Sequence, residues 1–223
     1  MNSKTITREE LCGLFDHTNL KAYAQEEDFK KLCDEAAANH FAMVAINSAP
    51  VALCHKLLKG SGVHVGAAIS FPLGQTTVNT KAFEAEQAIK DGADEIDTVI
   101  NLGDVKNKEY GQILAELKAI RAAAEGRILK VIIETCYLTE EEKRQLCRVV
   151  TESGADYIKT STGFGTEGAV LVYIFLFKEE IGPDVKIKAA GGMHSRQDFI
   201  DFLNAGCDRL GTSSAVKVLE TPE

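Results

Sequence analysis

The sequence predicts an α/β fold in which eight short parallel strands alternate with amphipathic helices. Continuous apolar runs are separated by longer stretches rich in Ala, Glu, Lys and Leu, and such runs are typical of parallel strands buried on both faces. The pattern Gly-Ala-Asp or Gly-Cys-Asp recurs at Gly92, Gly154 and Gly206, each time between a helical stretch and an apolar run. Because glycine suits the left-handed end of a helix, the repeat indicates successive helix-to-strand junctions.

The predicted elements follow one another along the whole chain. The strands are Phe15–Thr18, Phe41–Ile46, Val63–Phe71, Ile96–Ile100, Ile128–Ile133, Tyr157–Ile158, Val185–Ala190 and Arg209–Gly211. Intervening helices include Thr77–Asp91, Gln112–Glu125 and Thr139–Ser153. Eight β-α units in 223 residues indicate a single-domain TIM (β/α)8 barrel over residues 1–223, with a short N-terminal helix. A doubly wound open sheet is the alternative, weakened because no G-x-G-x-x-G follows the first strand.

The composition excludes several classes of protein. A formal net charge of −8 argues against nucleic-acid and membrane partners, which require a basic surface. No apolar run approaches the ~20 residues of a membrane span, and the first residues lack the apolar core of a signal peptide. The six scattered cysteines have no zinc spacing, so we expect reduced thiols. These features predict a cytoplasmic globular protein.

Charged side chains occur within several predicted strands, where burial disfavours them. Lys159 ends its strand directly before Thr160–Gly163, and Lys188 occupies the equivalent position on the next strand. Because TIM barrels carry their active sites at the C-terminal ends of the strands, the two ammonium groups should lie close together. The other charged strand residues are Glu95, Asp97, Lys130 and Glu134.

Two neighbouring lysines predict an amine with a lowered pKa. A lysine with the ordinary pKa of ~10.4 is protonated at pH 7, whereas a nearby ammonium group and partial burial both disfavour the charge. The neutral amine can attack a carbonyl and form a Schiff base. Asp97 is the candidate proton shuttle, since a carboxylate beside two lysines exchanges protons through water; Glu95 is expected to be structural. The alternative is that both lysines only form ion pairs with Glu95, Asp97 or Glu134.

Turns rich in Gly, Ser and Thr follow the last three predicted strands, and each precedes a helical stretch. Glycine lets the backbone approach an anion, and the N-terminus of a helix directs N–H groups at it. TIM barrels often hold phosphate after strands seven and eight. We therefore expect a phosphorylated carbonyl substrate. The turn residues are Thr162, Gly163, Gly191, Gly192, Gly211, Ser213 and Ser214.

The histidines give no sign of a metal site. Neither H-x-H nor H-E-x-x-H occurs, so no metal or other cofactor is expected. His17 is expected to be a packed or hydrogen-bonded structural residue. The adjacent Asp16 is a candidate salt-bridge partner of Lys188.

Seven segments, in this order, together resemble the deoxyribose-phosphate aldolase family: DHTNLK, SFPLG, GADEIDTVIN, KVIIET, YIKTSTGFG, KAAGG and RLGTSS. The resemblance implies a TIM barrel that reversibly cleaves 2-deoxy-D-ribose 5-phosphate into D-glyceraldehyde 3-phosphate and acetaldehyde, without metal, in deoxyribonucleoside catabolism. It implies that Lys159 forms the Schiff base, that Lys188 perturbs it and that Asp97 relays protons. It places Gly191, Gly192, Gly211, Ser213 and Ser214 at the phosphate, with Thr162 and Gly163 nearby, and Asp16 and Thr18 as supporting residues.

One segment departs from the pattern of that family. Residues Ala169–Phe177 carry no charge, where the family has acidic residues before a helix. A more buried helix is one interpretation. The other is a subunit contact, which would make the protein a homodimer.

Overall fold

The structure, a computed structural model, describes residues 6–220. Eight parallel strands close into one barrel in chain order, which confirms the predicted TIM barrel. The strands are β1 (Phe15–Thr18), β2 (Met43–Asn47), β3 (His64–Ile69), β4 (Glu95–Val99), β5 (Ile128–Ile132), β6 (Tyr157–Lys159), β7 (Lys186–Ala190) and β8 (Arg209–Thr212). The expectations about the first residues and about a single domain over 1–223 extend to residues 1–5 and 221–223, which lie outside the described residues.

Helices surround the barrel. They are α1 (Arg8–Cys12), α2 (Glu26–Asn39), α3 (Val51–Leu57), α4 (Val78–Lys90), α5 (Leu102–Lys106), α6 (Tyr110–Ala123), α7 (Glu140–Ser153), α8 (Leu171–Glu180), α9 (Arg196–Ala205) and α10 (Ala215–Glu220), with one 3₁₀ turn at Thr135–Tyr137. Over residues 6–220, no helix is long and apolar enough to cross a membrane. The six cysteines are free thiols.

The short N-terminal helix is confirmed. Thr7 caps α1 by a reciprocal pair of bonds: its hydroxyl accepts from the N–H of Glu10, and the Glu10 carboxylate accepts from the N–H of Thr7. This capping box satisfies two N–H groups that a helix start leaves open. Leu11 and Cys12 are buried, so α1 packs onto the body of the barrel.

The strand ends differ slightly from the predicted ones. The chain turns through His40, which has a left-handed φ of 54°, and the N–H of Phe41 still donates to the α2 carbonyl of Ala36. Phe41 is therefore part of the turn that caps the end of α2, and β2 begins only at Met43. By contrast, β6 extends one residue beyond its predicted end, to the charged Lys159, because this residue pairs with Lys188 of β7.

The glycine repeat marks the predicted junctions. Gly154 and Gly206 end α7 and α9 with φ values of 74° and 111°, and Gly92 follows α4 with φ 107°. Side chains disfavour this left-handed region, whereas glycine adopts it freely. Each repeat therefore reverses the chain from a helix into the next strand.

The two faces of the strands bury different residues. Outward-facing residues such as Ile96, Leu129 and Ile158 belong to the continuous apolar core beneath the helices. Inside the barrel, Met43 fills the space beside Gly66, where an added Cβ would lie 2.2 Å from the Met43 sulfur. The rest of this interior is largely ionic. Its buried charged residues are Asp16, Glu95, Asp97, Lys130, Lys159, Lys188 and Arg209.

The uncharged segment Ala169–Phe177 is only partly buried. Ile174 and Phe177 are fully buried, whereas Val172 and Phe175 of α8 are 60% and 54% exposed. Burial therefore explains the absence of charge on one side of α8. On the other side, two large apolar side chains remain exposed to solvent. The homodimer stays a prediction, which measurement of the mass in solution by light scattering tests.

Candidate active site

Three lysines converge on one aspartate inside the barrel. The Nζ atoms of Lys159 and Lys188 each lie 2.7 Å from Asp97 Oδ2, and Lys130 Nζ lies 2.9 Å from Asp97 Oδ1. All four side chains are buried. The structure thus brings together the three predicted catalytic residues and adds Lys130.

Strand register explains this convergence. Asp97 of β4 pairs with Lys130 of β5, and Lys159 of β6 pairs with Lys188 of β7. Paired positions of parallel strands point to the same face of the sheet. The four side chains therefore meet in the interior, where the barrel is too narrow to keep them apart.

A second layer of charge lies beneath the lysines. Lys188 Nζ is 2.5 Å from Asp16 Oδ2, as the sequence predicted. The other oxygen of Asp16 accepts from Arg209 Nε at 2.9 Å, and Arg209 also lies 3.5 Å from Glu95. Arg209 was not predicted to take part in the site. It holds Asp16 in place and supplies a further buried cation.

The pKa values of the buried groups distinguish Lys159 from Lys130. Burial lowers the pKa of Lys159 to about 8, and the nearby ammonium groups of Lys188 and Lys130 add to this, against the opposing effect of Asp97. Burial also disfavours the charge on Lys130, but Asp97 and Glu95 outweigh it and raise its pKa. Lys159 is therefore an amine that loses its proton near pH 8, closer to neutrality than an ordinary lysine, whereas Lys130 stays charged.

Asp97 remains a carboxylate in this setting. Burial raises its pKa, but Lys130, Lys159 and Lys188 together hold the pKa well below the ordinary value. One carboxylate shared by three cations keeps them in a single hydrogen-bonded array.

A cavity of about 320 Å³ opens above Lys159 at the C-terminal ends of the strands. Asp97, Lys188 and Asp16 lie below its floor. The reacting amine would therefore meet a ligand in the cavity, while the other charged groups stay behind it. Predicted residues that line the cavity are Thr18, Lys159, Thr162, Gly163, Gly191, Gly192, Gly211, Ser213 and Ser214.

The turns around the cavity present unused backbone donors. Gly191 and Gly192 both have φ 76°, in the left-handed region. The N–H of Gly191 donates to the carbonyl of Gly211 at 3.4 Å, whereas that of Gly192 stays open. Within residues 6–220, the N–H groups of Gly163, Gly192 and Ser213 donate to no protein acceptor. Such groups can bind the oxygen atoms of an anion.

Glu134 is a residue of the site whose role the sequence did not reveal. Its carboxylate accepts from the N–H of Thr162 at 3.2 Å and from the Thr162 hydroxyl. The Thr162 hydroxyl in turn accepts from the N–H of Phe164 at 3.0 Å. Both donors of Thr162 are therefore used within the protein, and Thr162 shapes the turn while Gly163 keeps its N–H open. In the sequence, the only indication of a role for Glu134 was its charge directly after an apolar run.

His17 lies outside the cavity. Its ring Nε2 is 2.7 Å from Glu35 Oε2, and the side chain is buried. The structural role predicted for His17 is confirmed. Among residues 6–220, no group of three or more His, Cys, Asp or Glu side chains is arranged to hold a metal ion.

Comparisons with known proteins agree with this geometry. Residues 12–213 match the model of the "DeoC/LacD family aldolase". A deoxyribose-phosphate aldolase from Clostridium botulinum (strain Eklund 17B / Type B) is 52% identical over 218 residues, 98% of each chain. One from Thermococcus kodakarensis is 45% identical over 96% of this chain and 98% of its own.

Solved structures have the same fold. The structure of a putative deoxyribose-phosphate aldolase from Coccidioides immitis has a TM-score of 0.93 at 34% identity, covering 96% of this chain and 86% of that one. A tetrameric deoxyribose phosphate aldolase from Aeropyrum pernix has a TM-score of 0.89 at 33% identity, with 96% and 91% coverage. Because the match covers nearly the full length of the sequence and the fold is the same, with Lys159 at the floor of a cavity, the chain belongs to the DeoC/LacD family of aldolases.

Proposed function

We propose that the protein catalyses the reversible cleavage of 2-deoxy-D-ribose 5-phosphate to D-glyceraldehyde 3-phosphate and acetaldehyde through a Schiff base on Lys159. The observation that carries the proposal is the position of Lys159: a buried amine at the floor of a cavity, with a pKa lowered to about 8. The names of the relatives supply the substrate. A role in the breakdown of deoxyribonucleosides is part of the same proposal.

The first step is attack by the neutral Lys159 amine on the aldehyde carbon of the open-chain sugar phosphate. The carbinolamine that forms loses water, and a protonated imine remains. Asp97 Oδ2 lies 2.7 Å from the amine and also accepts from Lys188 Nζ at 2.7 Å. The carbonyl oxygen takes one proton from the attacking amine to become the hydroxyl group, and a second from the Lys188 ammonium group, so that it leaves as water. Asp97 and water carry these protons, and Lys188 recovers its proton when the imine is hydrolysed.

The iminium then accepts the electron pair of the carbon–carbon bond. A base removes the proton of the C3 hydroxyl, the C2–C3 bond breaks, and D-glyceraldehyde 3-phosphate leaves. The pair from the broken bond forms an enamine on Lys159. Protonation of the enamine at C2 and addition of water release acetaldehyde and restore the amine.

A coupled assay tests the activity directly. Deoxyribose 5-phosphate should release glyceraldehyde 3-phosphate, and acetaldehyde with borohydride should label the protein on Lys159. An isomerase without a lysine imine would escape labelling, and a silent sugar-phosphate sensor would bind the sugar without turnover. Either result would overturn the proposal.

The phosphate group should be needed for efficient catalysis. Two or three charge-assisted bonds from the open N–H groups of Gly163, Gly192 and Ser213 contribute about 1.5–3 kcal/mol each. Deoxyribose without phosphate should therefore have a kcat/KM lower by about 100-fold or more. Inorganic phosphate is the control: it should compete with the phosphorylated sugar and spare the reaction of deoxyribose. Equal kcat/KM for both sugars would show that these turns are structural only.

A further inference from the structure

Below Lys159, a chain of buried charged side chains crosses the barrel. Asp97 contacts Lys130, and Lys130 also forms an ion pair with Glu95. Glu95 Oε1 lies 2.7 Å from Nδ1 of His64, whose side chain is 49% exposed at the opposite mouth. An unbroken series of polar contacts thus joins Lys159 to solvent at the far end of the barrel.

The buried charges in this cluster balance. Three carboxylates face three cations in direct ion pairs, apart from Lys159 itself. The cluster is therefore neutral when the Lys159 amine is neutral, and it carries one excess positive charge when that amine is protonated. In a buried site an uncompensated charge is costly. The carboxylates are Asp16, Glu95 and Asp97, and the cations are Lys130, Lys188 and Arg209.

We propose that Glu95 and Lys130 are positioning residues that set the protonation of Lys159 in opposite directions, Lys130 favouring the neutral amine and Glu95 the protonated one, and that together they leave the buried cluster at zero net charge when that amine is neutral. The inference rests on the proposed Schiff-base function. Neither side chain lines the cavity, so both act through Asp97 rather than on the substrate.

Lys130 acts by occupying Asp97. Its ammonium group takes one oxygen of Asp97, which leaves less negative charge to stabilise a proton on Lys159. Without Lys130, Asp97 would interact more strongly with Lys159. The cluster would also carry one excess negative charge when the Lys159 amine is neutral. Lys159 would then retain its proton to a higher pH.

Glu95 acts in the opposite direction. It shares Lys130 with Asp97. Without Glu95, Lys130 would rely on Asp97 alone, and the cluster would gain a net positive charge. Lys159 would then lose its proton at a lower pH. The two residues therefore have opposite predicted effects, although both are buried members of one ion pair.

Several other charged and titratable side chains surround Glu95 and Lys130. Glu95 is faced by His64 of β3 and Arg209 of β8, and Asp94 lies near His64. Tyr157 of β6 lies beside Lys130, with its ring centroid 5.9 Å from Nζ. Lys159 itself is faced by Asp97, Lys188 and Lys130, with Glu134 at the end of β5.

The test is the pH at which acetaldehyde and borohydride label Lys159 at half the maximal rate. With Lys130→Met, this midpoint should rise by about one pH unit, so that labelling at pH 7 falls about tenfold. With Glu95→Gln, the midpoint should fall, and labelling at pH 6 should increase. A purely structural role predicts slower labelling in both variants without opposed shifts.

The double variant Lys130→Met/Glu95→Gln removes the pair together and restores the charge balance. Its midpoint should return to within about half a unit of the wild-type value. If Lys130→Met alone does not fold, the step from Glu95→Gln to the double variant still measures the loss of Lys130. That step must raise the midpoint.

Lys81 and Glu116 provide a matched control. Lys81 Nζ is 2.7 Å from Glu116 Oε1, both side chains are buried, and the pair joins α4 to α6 outside the barrel. Lys81→Met/Glu116→Gln should leave the midpoint unchanged. Wild-type labelling with unmoved midpoints in the Lys130 and Glu95 variants would overturn this inference alone. Absence of wild-type labelling at any pH would overturn the proposed function, and this inference with it.

Discussion

Replacing Lys159 by methionine should reduce turnover by on the order of 10⁴-fold or more, because it removes the amine at the cavity floor that forms the imine. The fold should survive, since Asp97 keeps two cations, Lys130 and Lys188. Methionine has a similar length and leaves no large void. The measurements are the release of glyceraldehyde 3-phosphate, borohydride labelling, and thermal unfolding of the variant beside the wild type.

Identifying the peptide that carries the borohydride label distinguishes the possible outcomes. Undiminished labelling of the Lys159→Met variant by acetaldehyde would remove Lys159 from its assigned role. A label on Lys188 or Lys130 would place the nucleophile one strand away. A variant that unfolds at a much lower temperature would show that Lys159 contributes to stability as well as to catalysis.

The barrel could be predicted because its signals are local. Most strands contain a short apolar run, and each junction at Gly92, Gly154 and Gly206 is a tripeptide pattern. The proximity of Lys159 and Lys188 could be predicted in the same way, since both residues lie near the C-terminal ends of neighbouring parallel strands. Their pairing in register needs no knowledge of the rest of the barrel.

The remaining contacts depend on how the barrel closes. Arg209 and Asp16 are 193 positions apart and meet only because β8 pairs with β1. Lys130 looked like an isolated charge in a strand, and its link to Asp97 and Glu95 depends on register and inward orientation together. Glu134 contacts Thr162 through a turn in a left-handed conformation, with φ 52°, which no short sequence pattern indicates. Long-range register and side-chain direction are the information that the sequence alone lacks.

Replacing Lys188 by leucine should lower activity at pH 7 about tenfold or more, with partial recovery at higher pH. Lys188 is one of the cations that disfavour a proton on Lys159. Its removal leaves the buried cluster with excess negative charge, so the pKa of Lys159 rises from about 8 toward its ordinary value. At pH 7 the neutral amine then becomes scarcer, and at pH 9 it returns. The measurement is a pH–rate profile with borohydride labelling at each pH.

Lys188→Arg separates charge from proton transfer. Arginine keeps the positive charge beside Asp16 and Asp97, so Lys159 should still be labelled near neutral pH. Its guanidinium cannot release a proton, so a relay through residue 188 would fail, and turnover should stay low at every pH while labelling persists. If the arginine variant kept wild-type turnover, charge would be the whole contribution of Lys188. If the leucine and arginine variants both kept the wild-type profile, Lys188 would be only the ion-pair partner of Asp16.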